Sequence, residues 1–148
     1  MSDVTDPRQV VLVSCRANIK DRFTGEENQK DNIITVAWHM PTSFKPELYT
    51  ISVGKTRLGC EMIGKSRCFV VNFMPFSLKE KVLFCGTHSG EKIDKFKEAG
   101  LTKEESEKID CPRIKEACAF MECEVVNEIE TGDHVIFIGT LGVVSGIP

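Results

Sequence analysis

Three stretches of the chain gather hydroxyls, cations and imidazoles. Lys55-Thr56-Arg57 opens a helical pattern, where a hydroxyl, two cations and free backbone N–H groups at the positive end of a helix dipole suit a phosphate. The same residues equally suit a solvated surface cap. Cys85 to Phe96, CGTHSGEKIDKF, is a Gly-Thr-His-Ser-Gly loop entering a Lys-rich helix. It reads as a second phosphate contact or as a turn before an amphipathic helix whose Lys92, Lys95 and Lys97 stay in water. His134 follows Gly132-Asp133 and opens a strand, so its side chain can stand at a barrel mouth and meet a ligand, although an imidazole at a strand end is more often structural. His39, between Trp38 and Met40, is open to the same two readings. No Ser/His/Asp order, H-E-x-x-H, Walker loop or G-x-G-x-x-G is present. Glu122 and Glu124 share one strand face, which the solvent side of a hairpin explains better than acid–base work.

Seven cysteines, at 15, 60, 68, 85, 111, 118 and 123, include no C-x-x-C pair. An odd number in a chain with no export signal disfavours a disulfide framework, and most of these thiols are expected to pack as small buried hydrophobes. Cys118 and Cys123, an odd number of residues apart on one strand, point to opposite faces and cannot converge on a metal. No metal site is expected.

The chain is 148 residues long with 41% hydrophobic positions, enough for one compact domain, read as 1–148. Nineteen Lys plus Arg against 22 Asp plus Glu give a formal charge of -3, not the basic footprint of a nucleic-acid partner. No apolar run approaches the roughly 20 residues that cross a bilayer, and the acidic, polar opening MSDVTDPRQ is unlike a signal peptide. The expectation is a soluble, cytoplasmic protein.

The elements that must position these residues are mostly strands. Gln9 to Arg16, Ile33 to Met40, Glu47 to Gly54, Arg67 to Phe73, Cys118 to Val126 and His134 to Val144 are β-branched or alternating, and Thr131-Gly132-Asp133 turns the last two into an antiparallel hairpin. Lys20 to Asn32 has no apolar period and reads as a loop or irregular hairpin. Thr56 predicts the cap of a short helix over Arg57 to Lys65. Ser77-x-x-Glu80 and Thr102-x-x-Glu105 are capping-box patterns that predict two more helices. Six strands against three short helices argue for a mainly β barrel or sandwich with helices patched between strands.

Several blocks together resemble the flavin reductase-like FMN-binding split barrels, most closely the flavoredoxin-like branch. They are VVLVSCR, NIITVAWHMP (Asn32 to Pro41), CFVVNF (Cys68 to Phe73), CGTHSGEKIDKFKEAGLT (Cys85 to Thr102), a CP followed by an ECEV strand, and GDHVIFIG (Gly132 to Gly139), in the family's order. The resemblance implies an antiparallel, Greek-key-like split β-barrel that forms a homodimer with FMN near the interface. It also implies that the flavin ring is held largely by backbone groups of Asn32, Ile33, Ile34, Thr35, Val36, Ala37 and Trp38. Ser52, Val53, Lys55, Thr56 and Arg57 would approach the ribityl phosphate, and Ser89, Lys95 and Phe96 would add to that pocket, which resolves the two phosphate readings in favour of phosphate. His134 would stand near the reactive edge or the nicotinamide site as an orienting residue.

The activity implied is transfer of electrons from NADH or NADPH through bound FMN to a flavin, a metal chelate or a protein, because FMN carries the redox chemistry and the protein supplies position and charge. A different reading is a one-partner electron carrier with no nicotinamide site, and a third is a binding barrel that has lost flavin. Members of the family usually continue for several tens of residues beyond the GDHxxFIG strand, so a domain truncated at its C-terminus or a natural short form is expected.

Overall fold

The computed structural model describes residues 2–146. In chain order its elements are α1 (Ser2–Thr5), β1 (Val11–Lys20), β2 (Glu27–Val36), β3 (His39–Phe44), β4 (Glu47–Gly54), α2 (Leu58–Ser66), β5 (Cys68–Phe73), a 3-10 turn (Phe76–Leu78), α3 (Lys79–Thr87), α4 (Lys95–Ala99), β6 (Lys103–Glu105), β7 (Pro112–Ile114), β8 (Ala119–Thr131) and β9 (His134–Ser145). The seven long strands form one antiparallel sheet in the order β2-β1-β5-β8-β9-β4-β3, and β6 pairs only with β7. The sheet curls until β2 approaches β4, but the two do not pair, so the barrel is split along β2's free edge. This is the expected mainly β split barrel.

Alternation along β1 explains why its sequence is continuously apolar. Val11, Val13 and Cys15 face the barrel interior with Ile51, Phe69 and Phe137, while Leu12 faces out into a second cluster under α3 and α4. A strand covered on both faces has no polar side to alternate with. α2 closes one end of the interior with Met62 and Ile63, both fully buried. Each such side chain contributes about 1.5–3 kcal/mol through burial.

Several sequence expectations are corrected. Of the two readings of Lys20 to Asn32 the hairpin holds and the loop does not, and the hairpin is regular: β1 and β2 run on as a ladder to Lys20 and Glu27, and only 21–26 turn, with the Asp21 carboxylate accepting the Phe23 and Thr24 N–H groups and Gly25 at φ +74°. Its polar sequence reflects exposure at the hairpin tip. Ile33 to Met40 is two strands broken at Ala37-Trp38, where the Trp38 carbonyl accepts the Ser52 N–H. Pro41 is tolerated in β3 because β3 is an edge.

Thr56 does not cap α2; Arg57 occupies the cap position with extended backbone and no side-chain bond. Ser77 likewise makes no cap, since a 3-10 turn precedes α3. The helix predicted from Thr102 is instead strand β6 over Lys103–Glu105, because the Glu116 carboxylate takes the Thr102 N–H and β7 pairs alongside. The helix lies just before it: Asp94 caps α4 by accepting the Lys97 N–H, and Gly100 ends it at φ +68°.

Glu122 also departs from expectation. It is fully buried, because the outer face of β8 is crossed by the segment 106–118, and its carboxylate accepts the Glu107 and Lys108 N–H groups at 3.0 and 2.9 Å. Glu124 is exposed as expected. Six of the seven free thiols are buried, Cys118 being the exposed one, so the packing reading of the cysteines holds.

Candidate functional site

A cleft of about 400 Å³ opens at the split, between the end of β2, the end of β4, the start of α2 and the start of β9. Its β2 wall is a free edge. The Ile33 carbonyl is taken by the Lys95 ammonium and not by β1. Backbone groups two residues apart in a strand point the same way, so the Thr35 N–H and C=O also turn from the ladder toward the cleft. The Thr35 hydroxyl is occupied, donating to the Val82 carbonyl at 2.8 Å. Gly86 allows this closeness of α3 and β2: a Cβ there would lie 3.1 Å from the Thr35 Cβ and Oγ1. Gly59 does the same for α2, where a Cβ would meet Ile34 at 2.9 Å.

The cleft is cationic. Arg57 lines it at the N-terminus of α2, an end left without a side-chain cap. Lys95 is 4% exposed and donates to the carbonyls of Ile33 and Cys85, both at 2.8 Å, with no carboxylate paired to it among the described residues. Burial holds its ammonium below the usual lysine range, partly offset by Cys85. A buried cation satisfied only by neutral dipoles is costly and is stabilised by an anion entering the cleft. Free helix N–H groups beside Arg57 add to that preference.

The mouth is aromatic. β4 and β9 pair Gly54 with His134, which sets the imidazole at the rim, its ring 4.7 Å from that of Trp38. His134 Nδ1 donates to the Asp133 carboxylate at 2.6 Å, which holds that carboxyl below its ordinary range. A carboxylate only accepts, so the hydrogen sits on Nδ1 and Nε2 is left for a ligand in the neutral ring. A free backbone edge, a buried ammonium and an aromatic rim together fit a flat hydrogen-bonding ring system that carries an anion.

The structure brings together Ile34, Thr35, Val36, Ala37, Trp38, Ser52, Val53, Thr56, Arg57, Lys95 and His134 around this cleft. Other expected residues lie elsewhere. Lys55 turns outward to Glu130, and only its backbone N–H reaches the turn at Asp133. Ile33 and Phe96 are packed in the outer cluster, and the exposed Ser89 accepts the Glu91 N–H. Asn32 is 1% exposed, its side-chain amide without a partner and packed on Gly90, where a Cβ would come within 2.2 Å. Gly54, Cys85, Gly86 and Asp133 line the cleft without having been singled out for it. Asp133 and Gly86 sit inside the two most informative sequence blocks, which was the signal available.

A larger cleft of about 730 Å³ lies against the outer ends of β1, β5 and β8. Most of its cations are already paired, Arg16 with Asp31 and Asp110 at 2.6 and 2.9 Å, Arg67 with Glu128 at 3.4 Å and Lys65 with Glu61 at 3.8 Å. Size alone is therefore a poor guide to which cleft takes an anion.

The fold, with its cleft at the split, defines a split-barrel domain. The model of the flavin reductase like domain matches residues 5–145, and the chain belongs to that family. It is 40% identical over 113 residues to an uncharacterised protein of Archaeoglobus fulgidus, a match that covers 76% of this chain and 64% of the relative. The chain thus spans less than two thirds of that relative's length. Among solved structures it resembles an FMN-binding protein from Thermus thermophilus with bound p-hydroxybenzaldehyde, at 25% identity and a TM-score of 0.82, over 95% of this chain and 73% of that one. A flavoredoxin from Methanosarcina acetivorans is similar at 26% identity and a TM-score of 0.81, over 95% and 69%. No helix among the described residues is long and apolar enough to cross a membrane.

Proposed function

We propose that the cleft binds FMN and that the protein is a flavin-dependent oxidoreductase which takes electrons from NADH or NADPH and passes them to a flavin, a metal chelate or a protein. The observation that carries the reading is Lys95, a buried ammonium held by two carbonyls and, among the described residues, by no carboxylate, at the foot of a cleft open to solvent. Its free proton, Arg57 and the α2 N-terminus would hold the phosphate. The Thr35 backbone and the β2 edge up to Trp38 would hold the ring. FMN, when bound, supplies the two-electron chemistry, so the chain needs no nucleophile. His134 orients, with Nε2 free to hydrogen-bond ring or nicotinamide while Asp133 fixes its tautomer.

We also propose a homodimer. Trp38 is 43% exposed and Met40 58% exposed beside the cleft, on edge strand β3 and its approach, and a second copy would cover them. The likeness to a flavoredoxin favours a second reading, an electron carrier that exchanges electrons with a redox protein and not with a nicotinamide.

Absorbance of the protein reconstituted with FMN, before and after anaerobic addition of each nicotinamide, tests both. Flavin bands that bleach with NADH or NADPH are the expected result and name the donor. Bands that persist with both but bleach with dithionite support the carrier, and a protein that retains no FMN on a desalting column overturns the proposal.

A further inference from the structure

The segment 106–118 crosses the outside of the barrel as a strap, tied to the sheet by side chains. Ser14 Oγ donates to the Pro112 carbonyl at 2.5 Å, and Asn72 Oδ1 accepts the Ile114 N–H at 3.0 Å. Between these ties and the Glu122 carboxylate lie two thiols, Cys68 at the start of β5 and Cys111 in the strap, packed with Val70 in one buried cluster. Cys68 and Cys111 are the two thiols of that cluster, and Cys68 reaches the backbone of the residue just before Cys111. Cys68 Sγ lies 3.8 Å from the Asp110 carbonyl, and Cys111 Sγ 3.3 Å from that of Ser14.

The two differ in access. Cys111 is fully buried, whereas Cys68 is 7% exposed and lines the cleft of about 730 Å³ on the outside of the barrel, with Lys65, Arg67 and Lys108 also on its walls. They differ in acidity too. Burial pushes the Cys123 thiol up to about 12 and raises Cys111 as well. Among the buried thiols Cys68 alone is lowered: the hydrogen bonds from Cys111 and Ser66 outweigh burial and the nearby Asp110 and Glu124 charges. A thiol more acidic than its buried neighbours, reached through a cleft and beside a second thiol, is the arrangement that oxidises selectively.

We propose that Cys68 and Cys111 are a redox pair that a small hydroperoxide converts to a disulfide, with Cys68 the attacked thiol and Cys111 the resolving one. The Cys68 sulfur attacks the outer peroxide oxygen, the O–O bond breaks, and the alkoxide or hydroxide leaves with the thiol proton as alcohol or water. Cys68 is then a sulfenic acid. The Cys111 sulfur attacks the Cys68 sulfur, the S–O bond breaks, and hydroxide leaves with the Cys111 proton as water. The two thiols lose two electrons and the hydroperoxide gains them. The product staples the strap to β5, independently of whatever the split cleft binds.

The test is peroxide treatment of the folded full chain carrying Cys118→Ser, which removes the exposed thiol, followed by denaturing alkylation, digestion and mass spectrometry. The expected product is a Cys68–Cys111 peptide pair two hydrogens lighter than its parts and abolished by reductant, while Cys15, Cys85 and Cys123 are alkylated. In the added variant Cys111→Ser, dimedone labelling of Cys68 should rise several-fold. Peroxide that leaves both thiols free, or that links Cys68 to Cys15 instead, overturns the proposal. If Cys111→Ser does not fold, the peptide map of the Cys118→Ser chain alone decides.

Discussion

Two buried cations in this small barrel are treated in opposite ways. Arg16, on β1, is surrounded by Asp31 directly opposite on β2, Glu105 on β6 and Asp110 in the strap, at 2.6, 2.7 and 2.9 Å. Lys95, on α4, has two backbone carbonyls and, among the described residues, no carboxylate. The first charge is neutralised by the chain itself and holds the strap to the β1–β2 hairpin. The second is left short of an anion at the foot of a cleft. A saturated cation marks architecture, and an unsaturated one marks a place for a ligand.

The sharpest way to separate them is to remove each charge at nearly constant volume. Arg16→Met should cost about 2 kcal/mol in urea unfolding, because it removes the charge-assisted hydrogen bonds to the half-buried Asp31, while the exposed Glu105 and Asp110 lose little. FMN retention by the folded fraction should stay unchanged. Lys95→Met should do the reverse: FMN affinity falls on the order of 1.5–3 kcal/mol through a lost charge-assisted hydrogen bond. Stability without flavin should fall by less than for Arg16→Met, since only two carbonyls lose a donor. Equal unfolding free energies for the two variants, or FMN binding by Lys95→Met at the parent affinity, would break the comparison.

Of the two cation sites, acid should act on that of Arg16, whose partners are carboxylates, and not on that of Lys95, whose partners are carbonyls. Arg16 is the main partner that lowers Glu105; in Asp31, burial pushes upward but hydrogen bonds from Arg16 and Lys103 together win, so both carboxyls lie below the ordinary range when folded. Groups depressed by folding stabilise the protein above their unfolded values of about 4, and that contribution is lost as pH falls through the folded values. Melting temperature in the flavin-free protein should therefore drop below about pH 4, with a shallower drop in Arg16→Met. A smaller effect is expected at the rim. His134→Ala should slow turnover in stopped-flow with little change in FMN retention, and Asp133→Asn should slow it less, since it loosens only the tautomer. Full reductase activity in His134→Ala would remove His134 from the site.

Much of this site was legible in the sequence because its carriers are short contiguous blocks. Thr35 and Val36 end a predicted strand, Ser52 to Gly54 end β4, which runs over the residues its sequence pattern predicts, and Gly132-Asp133 is the predicted turn that delivers His134. What was not legible depends on contacts between distant segments. Lys95 reads from its own segment as one of three wet lysines and only the family resemblance puts it near a phosphate; its burial against two carbonyls appears once α4 lays it across β2. Glu122 reads as solvent-facing until the strap supplies two N–H groups, and Thr102 to Glu105 reads as a helix start until Glu116 and β7 compete for it. Lys55 reads with Arg57 but turns to Glu130 instead.

The sequence by itself determined the class of fold and the family, because alternation, turn residues and ordered blocks are local properties that survive without knowledge of neighbours. Only the tertiary structure decided which charges are spent and which remain available. Whether a buried cation meets a carboxylate or a carbonyl depends on which strand edge closes over it, and that pairing links residues dozens of positions apart.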